Sequence, residues 1–193
     1  HRRPGSFALV GAGSGSLPLV EPEIRQLAAG MADATSYLGA TRRDLLHALA
    51  GHQAVHLAGH AVYLDDAPGA SGLRLEDGFV TIHDLAVARI NAGLVSFGVC
   101  SGVRLQETEA FRFEGFLRVL LSAGVRNVVG PTGWVRDESA HRFALAFYAS
   151  LQGNAHPAAA YRDAVRSLRD HEPHPAAWGF YQIYGDARPW RVS

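Results

Sequence analysis

Leu94-Val95-Ser96-Phe97-Gly98-Val99-Cys100-Ser101-Gly102 is the stretch on which the fold turns. A mainly apolar run of strand length ends at the chain's single cysteine, and small residues follow at once. Such a run, bounded by turn formers, reads as a buried strand. Upstream, Ala54-Val55-His56-Leu57-Ala58-Gly59 leads in the same way into His60. If the two runs are neighbouring parallel strands, a thiol and an imidazole stand at their carboxyl ends. Open parallel sheets carry their sites in the crevice there.

Outward from this pair the chain alternates strands with helices. An apolar strand at 7–10 precedes a Gly/Ser loop at 11–16. A helix opens near Pro22, a residue suited to a first turn, and turns Ile24, Leu27, Ala28 and Met31 to one side. A strand at 34–38 follows, then a helix capped by Thr41 that carries Leu45, Leu46 and Leu49 inward. The third strand covers 53–58. Leu73-Arg74-Leu75 and Phe79-Val80-Thr81 alternate around Glu76-Asp77-Gly78, a hairpin signal. A short helix at 81–89 and the fourth core strand at 94–99 come next. Residues 101–112 read as an irregular polar loop expected to order on activation or substrate binding, with arginines open to autocatalytic cleavage. A helix at 113–123 is closed by Gly124, and a fifth strand spans 125–129. Helices at 137–152 and 157–169 and a strand at 178–184 complete the chain. Strands alternating with helices of about 10–15 residues imply an α/β fold, a parallel sheet covered on both faces.

Composition narrows the classes. A chain of 193 residues can bury one good core, and 48% apolar content with mixed charge opposes disorder. Residues 7–193 are expected to be one domain. Residues 1–6, with neither initiator Met nor apolar core, read as a leader, a scar or the end of an upstream linker. Zero net charge gives no footprint for nucleic acid or an anionic membrane surface, and no apolar run approaches the roughly 18 residues of a spanning helix. One cysteine excludes an intrachain disulfide and a cysteine-rich zinc site, and it fits a reducing, cytoplasmic setting. His52, His56 and His60 would share a helix face, but the run reads as strand, so no metal is expected. The loop at 11–16 lacks Gly-Lys-Ser/Thr and is no phosphate cradle.

A thiol with a pKa near ~8.5 is mostly protonated at neutral pH. A neighbouring imidazole stabilises the thiolate and later protonates a leaving amine. The alternative is that Cys100 is a small buried hydrophobe. Glycines beside both residues let the backbone turn and a substrate chain approach.

Val55-His56-Leu57-Ala58-Gly59-His60 resembles the histidine motif of the CHAT-domain peptidases, caspase-like cysteine proteases of the separase and metacaspase clan. In that family the second of two such histidines is catalytic. Further family features follow in order: the hairpin Gly72-Leu73-Arg74-Leu75-Glu76-Asp77-Gly78, the pair Asp84-Leu85, and the nucleophile strand Ser96-Phe97-Gly98-Val99-Cys100. Then come Glu114-Gly115-Phe116, Ala123-Gly124, Trp134-Val135-Arg136-Asp137, Phe147-Tyr148, and a cluster of His174-Pro175, Trp178 and Phe180. The resemblance implies a caspase-like three-layer α/β/α sandwich around a mostly parallel sheet. It also implies that Cys100 is the nucleophile, His60 the general base and acid, and the backbone amides of Ala61 and Cys100 the oxyanion hole. No cofactor is implied. The implied partners are a protein or peptide substrate and an upstream regulatory or repeat region in a larger bacterial protein. Two departures stand out. The family's His-Gly is here His60-Ala61, where a positive φ would be unfavourable, and Ser101-Gly102 replaces Glu-Thr-Gly.

Glu114 and Asp137 are candidate pocket acids, or else carboxylates answering a helix macrodipole. Trp134 lines a substrate pocket or covers the core beneath its loop. His171-Glu172-Pro173-His174 reads as a solvated turn. Two rivals stay open. Gly98-Val99-Cys100-Ser101-Gly102 also fits a Gly-x-Cys-x-Gly elbow of a dienelactone-hydrolase-like enzyme or a glutamine amidotransferase. Either would need His141, His156, His171 or His174 as its base. The other rival is a non-catalytic interaction domain that keeps the fold.

Overall fold

The computed structural model describes residues 6–13, 17–62, 64, 66–99, 113–153 and 156–186, with only the backbone of Val99 and Phe113. Cys100 and the loop expected at 101–112 lie outside the described residues.

Strands β1 (Phe7–Ala12), β2 (Ala34–Leu38), β3 (Ala54–Val62), β4 (Gly72–Leu75), β5 (Gly78–Thr81), β6 (Leu94–Val99), β7 (Asn127–Pro131) and β8 (Tyr181–Gly185) join one sheet. Its main path runs β2-β1-β3-β6-β7-β8. The pairs from β2 to β7 are parallel, and β8 runs antiparallel to β7 on the far edge. The β4–β5 hairpin attaches to the end of β3. Helices α1 (Val20–Gly30), α2 (Arg42–Gly51), α3 (Ile82–Val87), α4 (Phe113–Ser122), α5 (Asp137–Gly153) and α6 (Pro157–His171) form the outer layers.

The period-two alternation of the strands decides which helices cover which face. Ala8 and Val10 of β1, Val55 and Leu57 of β3, and Val95 and Phe97 of β6 point to the side of α2, α3 and α4, where Leu45, Leu49, Leu85, Phe116 and Leu120 meet them. Leu9, Ala54, Ala58 and Leu94 point the other way, against Ile24 and Leu27 of α1, Phe143 and Phe147 of α5, and Ala160 and Leu168 of α6. Each fully buried Leu or Phe contributes about 1.5–3 kcal/mol. Both faces of the central strands are therefore dry, as a parallel sheet requires.

Local signals start the helices. Thr41 and Thr81 each form a capping box with the aspartate three residues on, Asp44 and Asp84. Arg42 then clasps two elements: its guanidinium meets both Asp84 oxygens at 2.8 and 2.9 Å, while its backbone N–H donates to Asp77 Oδ1 at 2.8 Å. The Arg42 pairing, with hydrogen bonds from Thr81, holds the Asp84 carboxyl well below the usual carboxylate range.

Several expectations shift. The third strand continues through His60 to Val62, because the hairpin supplies an antiparallel partner after the main sheet ends: His60 pairs with Arg74 and Ala61 with Leu73. Leu46 is only half-buried, and Ala48 takes the inward place beside Leu45 and Leu49. The fifth core strand begins at Asn127 rather than at 125. The last begins at Tyr181, since Pro175–Ala177 is a 3-10 turn that ends at Trp178. Among the described residues no helix is long and apolar enough to cross a membrane.

Candidate active site

The register of β3 against β6 is the central geometric fact. His56 lies opposite Ser96, Ala58 opposite Gly98, and Gly59 opposite Val99. His60 and Cys100 are the next residues in sequence after this last pair. His60 is half-buried and borders a shallow depression with Ala12, Leu57, Gly59, Leu73 and Arg74. Gly59 is needed just before it, because a Cβ there would stand 2.7 Å from the Ala12 carbonyl oxygen. Ala61 has ordinary extended backbone, and among the described residues no non-glycine has a positive φ. The substitution of alanine for the family's glycine therefore introduces no strain of that kind at this position.

The other candidates stand at the same end of the sheet but apart in role. Glu114, in the first turn of α4, faces solvent and lies 3.9 Å from Arg118 one turn on. That is the helix-terminal behaviour open to it from sequence. Asp137, the first residue of α5, accepts from the Leu19 N–H at 3.1 Å and so satisfies a donor at the start of α1, where Leu19 supplies no side-chain cap. Burial pushes its carboxyl above the usual range, Glu23 adding to this and the Leu19 N–H opposing it. Trp134 is 48% exposed in the loop after β7, so it does not cover the core. Phe180, read from sequence as part of the last strand, joins this loop: its carbonyl accepts from the Thr132 N–H at 2.8 Å and its ring lies against Gly133.

Three of the four histidines downstream of the cysteine are engaged elsewhere. His156 and His174 accept from the backbone of Ala158 and Ala176 at helix or turn starts, and His171 bonds the Ser167 carbonyl. His141 sits on α5 with Nδ1 3.8 Å from Glu23 Oε2. Glu172 pairs with Arg136 rather than standing free in solvent. Among the described residues no cluster of His, Cys, Asp or Glu gathers as a metal-ligand set.

One constellation escaped the sequence reading. Beneath the strand ends, His56 Nε2 lies 2.7 Å from Glu23 Oε1, His56 Nδ1 2.8 Å from Ser96 Oγ, and Ser96 Oγ 2.6 Å from the Tyr148 hydroxyl. Glu23, His56, Ser96 and Tyr148 are all buried. Burial drives the Tyr148 phenol far above its ordinary range, the Ser96 bond opposing and Glu23 adding to the rise. Tyr148 therefore keeps its proton and has one hydrogen to donate. The assignment that uses every hydrogen runs Tyr148 O–H to Ser96, Ser96 O–H to His56 Nδ1, and His56 Nε2–H to Glu23. The sequence did carry a signal. Glu23 sits on the apolar stripe of Val20, Ile24 and Leu27, and His56 and Ser96 interrupt core strands. Buried polar groups of that kind need partners.

The sheet order and its two helical layers define a caspase-like α/β fold. A solved structure described as the Arg-specific cysteine proteinase gingipain R matches with a TM-score of 0.60 at 8% identity, covering 94% of this chain. The match takes in 46% of the gingipain chain, so the protein spans less than half that length. The CHAT domain family model matches residues 6–186, and the chain belongs to that family. No curated protein sequence matches it at a significant level.

Proposed function

We propose that the protein is a cysteine endopeptidase acting through Cys100 and His60. The observation that carries this reading is the β3–β6 register, in which each residue directly follows the last pair of the ladder. In the reaction, the Cys100 thiolate attacks the carbonyl carbon of a peptide bond in a protein substrate. The backbone amides of Ala61 and Cys100 receive the developing oxyanion. The His60 imidazolium gives its proton to the leaving nitrogen as the C–N bond breaks, leaving a thioester on Cys100. Water, deprotonated by His60, then attacks the thioester and returns the thiolate. Trp134, exposed at the same end of the sheet, is assigned to substrate contact. Asp137 and Glu114 are assigned to the rim. Control by an upstream region of a larger bacterial, cytoplasmic protein completes the proposal.

The test labels the chain's only cysteine. A peptidyl chloromethyl ketone should alkylate the unaltered protein and spare Cys100→Ala, with intact mass as readout. His60→Ala should lose the fast phase, whereas His171→Ala and His141→Ala should keep it. Equal labelling of the His60→Ala variant would overturn the dyad, and loss only in a downstream histidine variant would favour the hydrolase elbow. Reactivity no faster than that of a free thiol in the unaltered chain would favour the non-catalytic domain.

A further inference from the structure

The buried chain Glu23–His56–Ser96–Tyr148 takes no part in the chemistry proposed above, yet two of its members lie on the strands that lead to it, three rungs before the last pair of the β3–β6 ladder. His56 precedes His60 by four residues on β3, and Ser96 of β6 precedes Cys100 by four in sequence. His56 and Ser96 are ladder partners as well as hydrogen-bond partners. Acid, imidazole and hydroxyl stand in the order of a hydrolytic triad, but Ser96 is 3% exposed and the Tyr148 hydroxyl occupies its oxygen. No carbonyl carbon can reach it, so the chain holds rather than reacts.

What it holds is specific. Its members come from α1, β3, β6 and α5, so each hydrogen bond ties a different pair of elements. Gly98, two residues before Cys100, rests on it: a Cβ there would lie 2.9 Å from Glu23 Oε1 and 3.1 Å from His56 Cε1. An apolar contact tolerates sliding, whereas hydrogen bonds have fixed lengths and directions and select one arrangement. A shift of β6 along β3 would break the His56–Ser96 bond and lift Gly98 from its support.

We propose that Glu23, His56, Ser96 and Tyr148 are positioning residues that set β6 against β3 and so fix where the two strands deliver His60 and Cys100. This rests on the reading of those two residues as the dyad. It adds that the geometry of the buried bonds, rather than the charge of Glu23, is what the site requires.

The experiment follows alkylation of the single cysteine by iodoacetamide at about pH 6, where an isolated thiol is almost wholly protonated. Each variant is assayed well below its melting temperature, with circular dichroism confirming the fold. Glu23→Ala and Ser96→Ala should lower the His60-dependent rate about ten- to a hundred-fold, the scale of a misplaced reacting group. Glu23→Gln, which keeps an oxygen to accept from His56 Nε2, should restore the rate of the unaltered protein. A merely structural network would lower melting temperatures and leave the rate per folded molecule unchanged, which overturns the proposal. Equal losses in Glu23→Gln and Glu23→Ala would overturn it too, by making charge the operative quantity. If the alanine variants do not fold, Tyr148→Phe, which removes only a hydroxyl, should still slow alkylation about three-fold, and an unchanged rate overturns the proposal. Absence of His60-dependent reactivity in the unaltered chain overturns both this proposal and the dyad. Reactivity that ignores the network overturns this proposal alone.

Discussion

Removing the Ser96 hydroxyl and the Tyr148 hydroxyl, singly and together, should give a stability change that is non-additive in a defined direction. In Ser96→Ala two buried groups lose their partner: His56 Nδ1, 2.8 Å from the deleted oxygen, and the Tyr148 hydroxyl, 2.6 Å from it. An unpartnered buried group costs about 1–3 kcal/mol, so this variant should lose about 3 kcal/mol. Tyr148→Phe removes donor and hydrogen bond together and leaves Ser96 still donating to His56, a loss of about 1 kcal/mol. Independent sites would lose about 4 kcal/mol together. In the double variant, however, no tyrosine hydroxyl remains to be orphaned, and the loss should fall to about 2 kcal/mol. The second substitution thus recovers about 1 kcal/mol, or about 0.5 M in urea midpoint at a slope near 2 kcal/mol/M. Urea unfolding followed by tryptophan fluorescence, with slopes compared across the four proteins, measures it. A double variant less stable than Ser96→Ala would refute the dependence of the Tyr148 hydroxyl on Ser96 as its partner.

Other expectations are simpler. Gly59→Ala should destabilise by about 1–3 kcal/mol, read from the urea midpoint, because its methyl would meet the Ala12 carbonyl of a central strand that cannot yield. For Asp137, burial raises the carboxyl in the folded chain above its unfolded value, so its stabilising contribution is full at low pH and declines as pH rises through that raised value. Asp137→Asn keeps an acceptor for Leu19, so its stability relative to the unaltered protein should climb as pH rises through that raised value; a falling difference in urea midpoints would contradict the shift. Asp84 runs the other way. Held low by Arg42, it stabilises above the usual carboxylate range and loses that contribution as pH falls through its depressed value. Asp84→Asn should therefore flatten the acid side of the stability profile, an effect weakened by salt because the pair is partly exposed.

Much of this architecture was legible because it rests on local rules. Strand β2 falls on residues 34–38 and β6 on 94–99, the bounds expected from sequence. Thr41 caps α2 through its own Asp44, a contact spanning three residues. The hairpin turns at Glu76-Asp77 with Gly78 at φ +137°. The errors cluster where a distant segment completes an element. Strand β3 gains its last residues from a hairpin that begins ten residues later, and β8 starts only where Pro131 and Tyr181 can pair. Periodicity within one run carries no record of such partners.

The candidate site divides along the same line. Composition and motif order alone singled out His60 and Cys100, because a lone cysteine and a histidine after two apolar runs are properties of the chain itself. The tertiary structure decided the register that sets Gly59 beside Val99, the commitment of Asp137 to Leu19, and the joining of Glu23 to His56, Ser96 and Tyr148. Each of these depends on where segments 33 to 118 residues apart come to rest. A buried polar side chain announces in sequence that it needs a partner, but only the packed chain chooses which one.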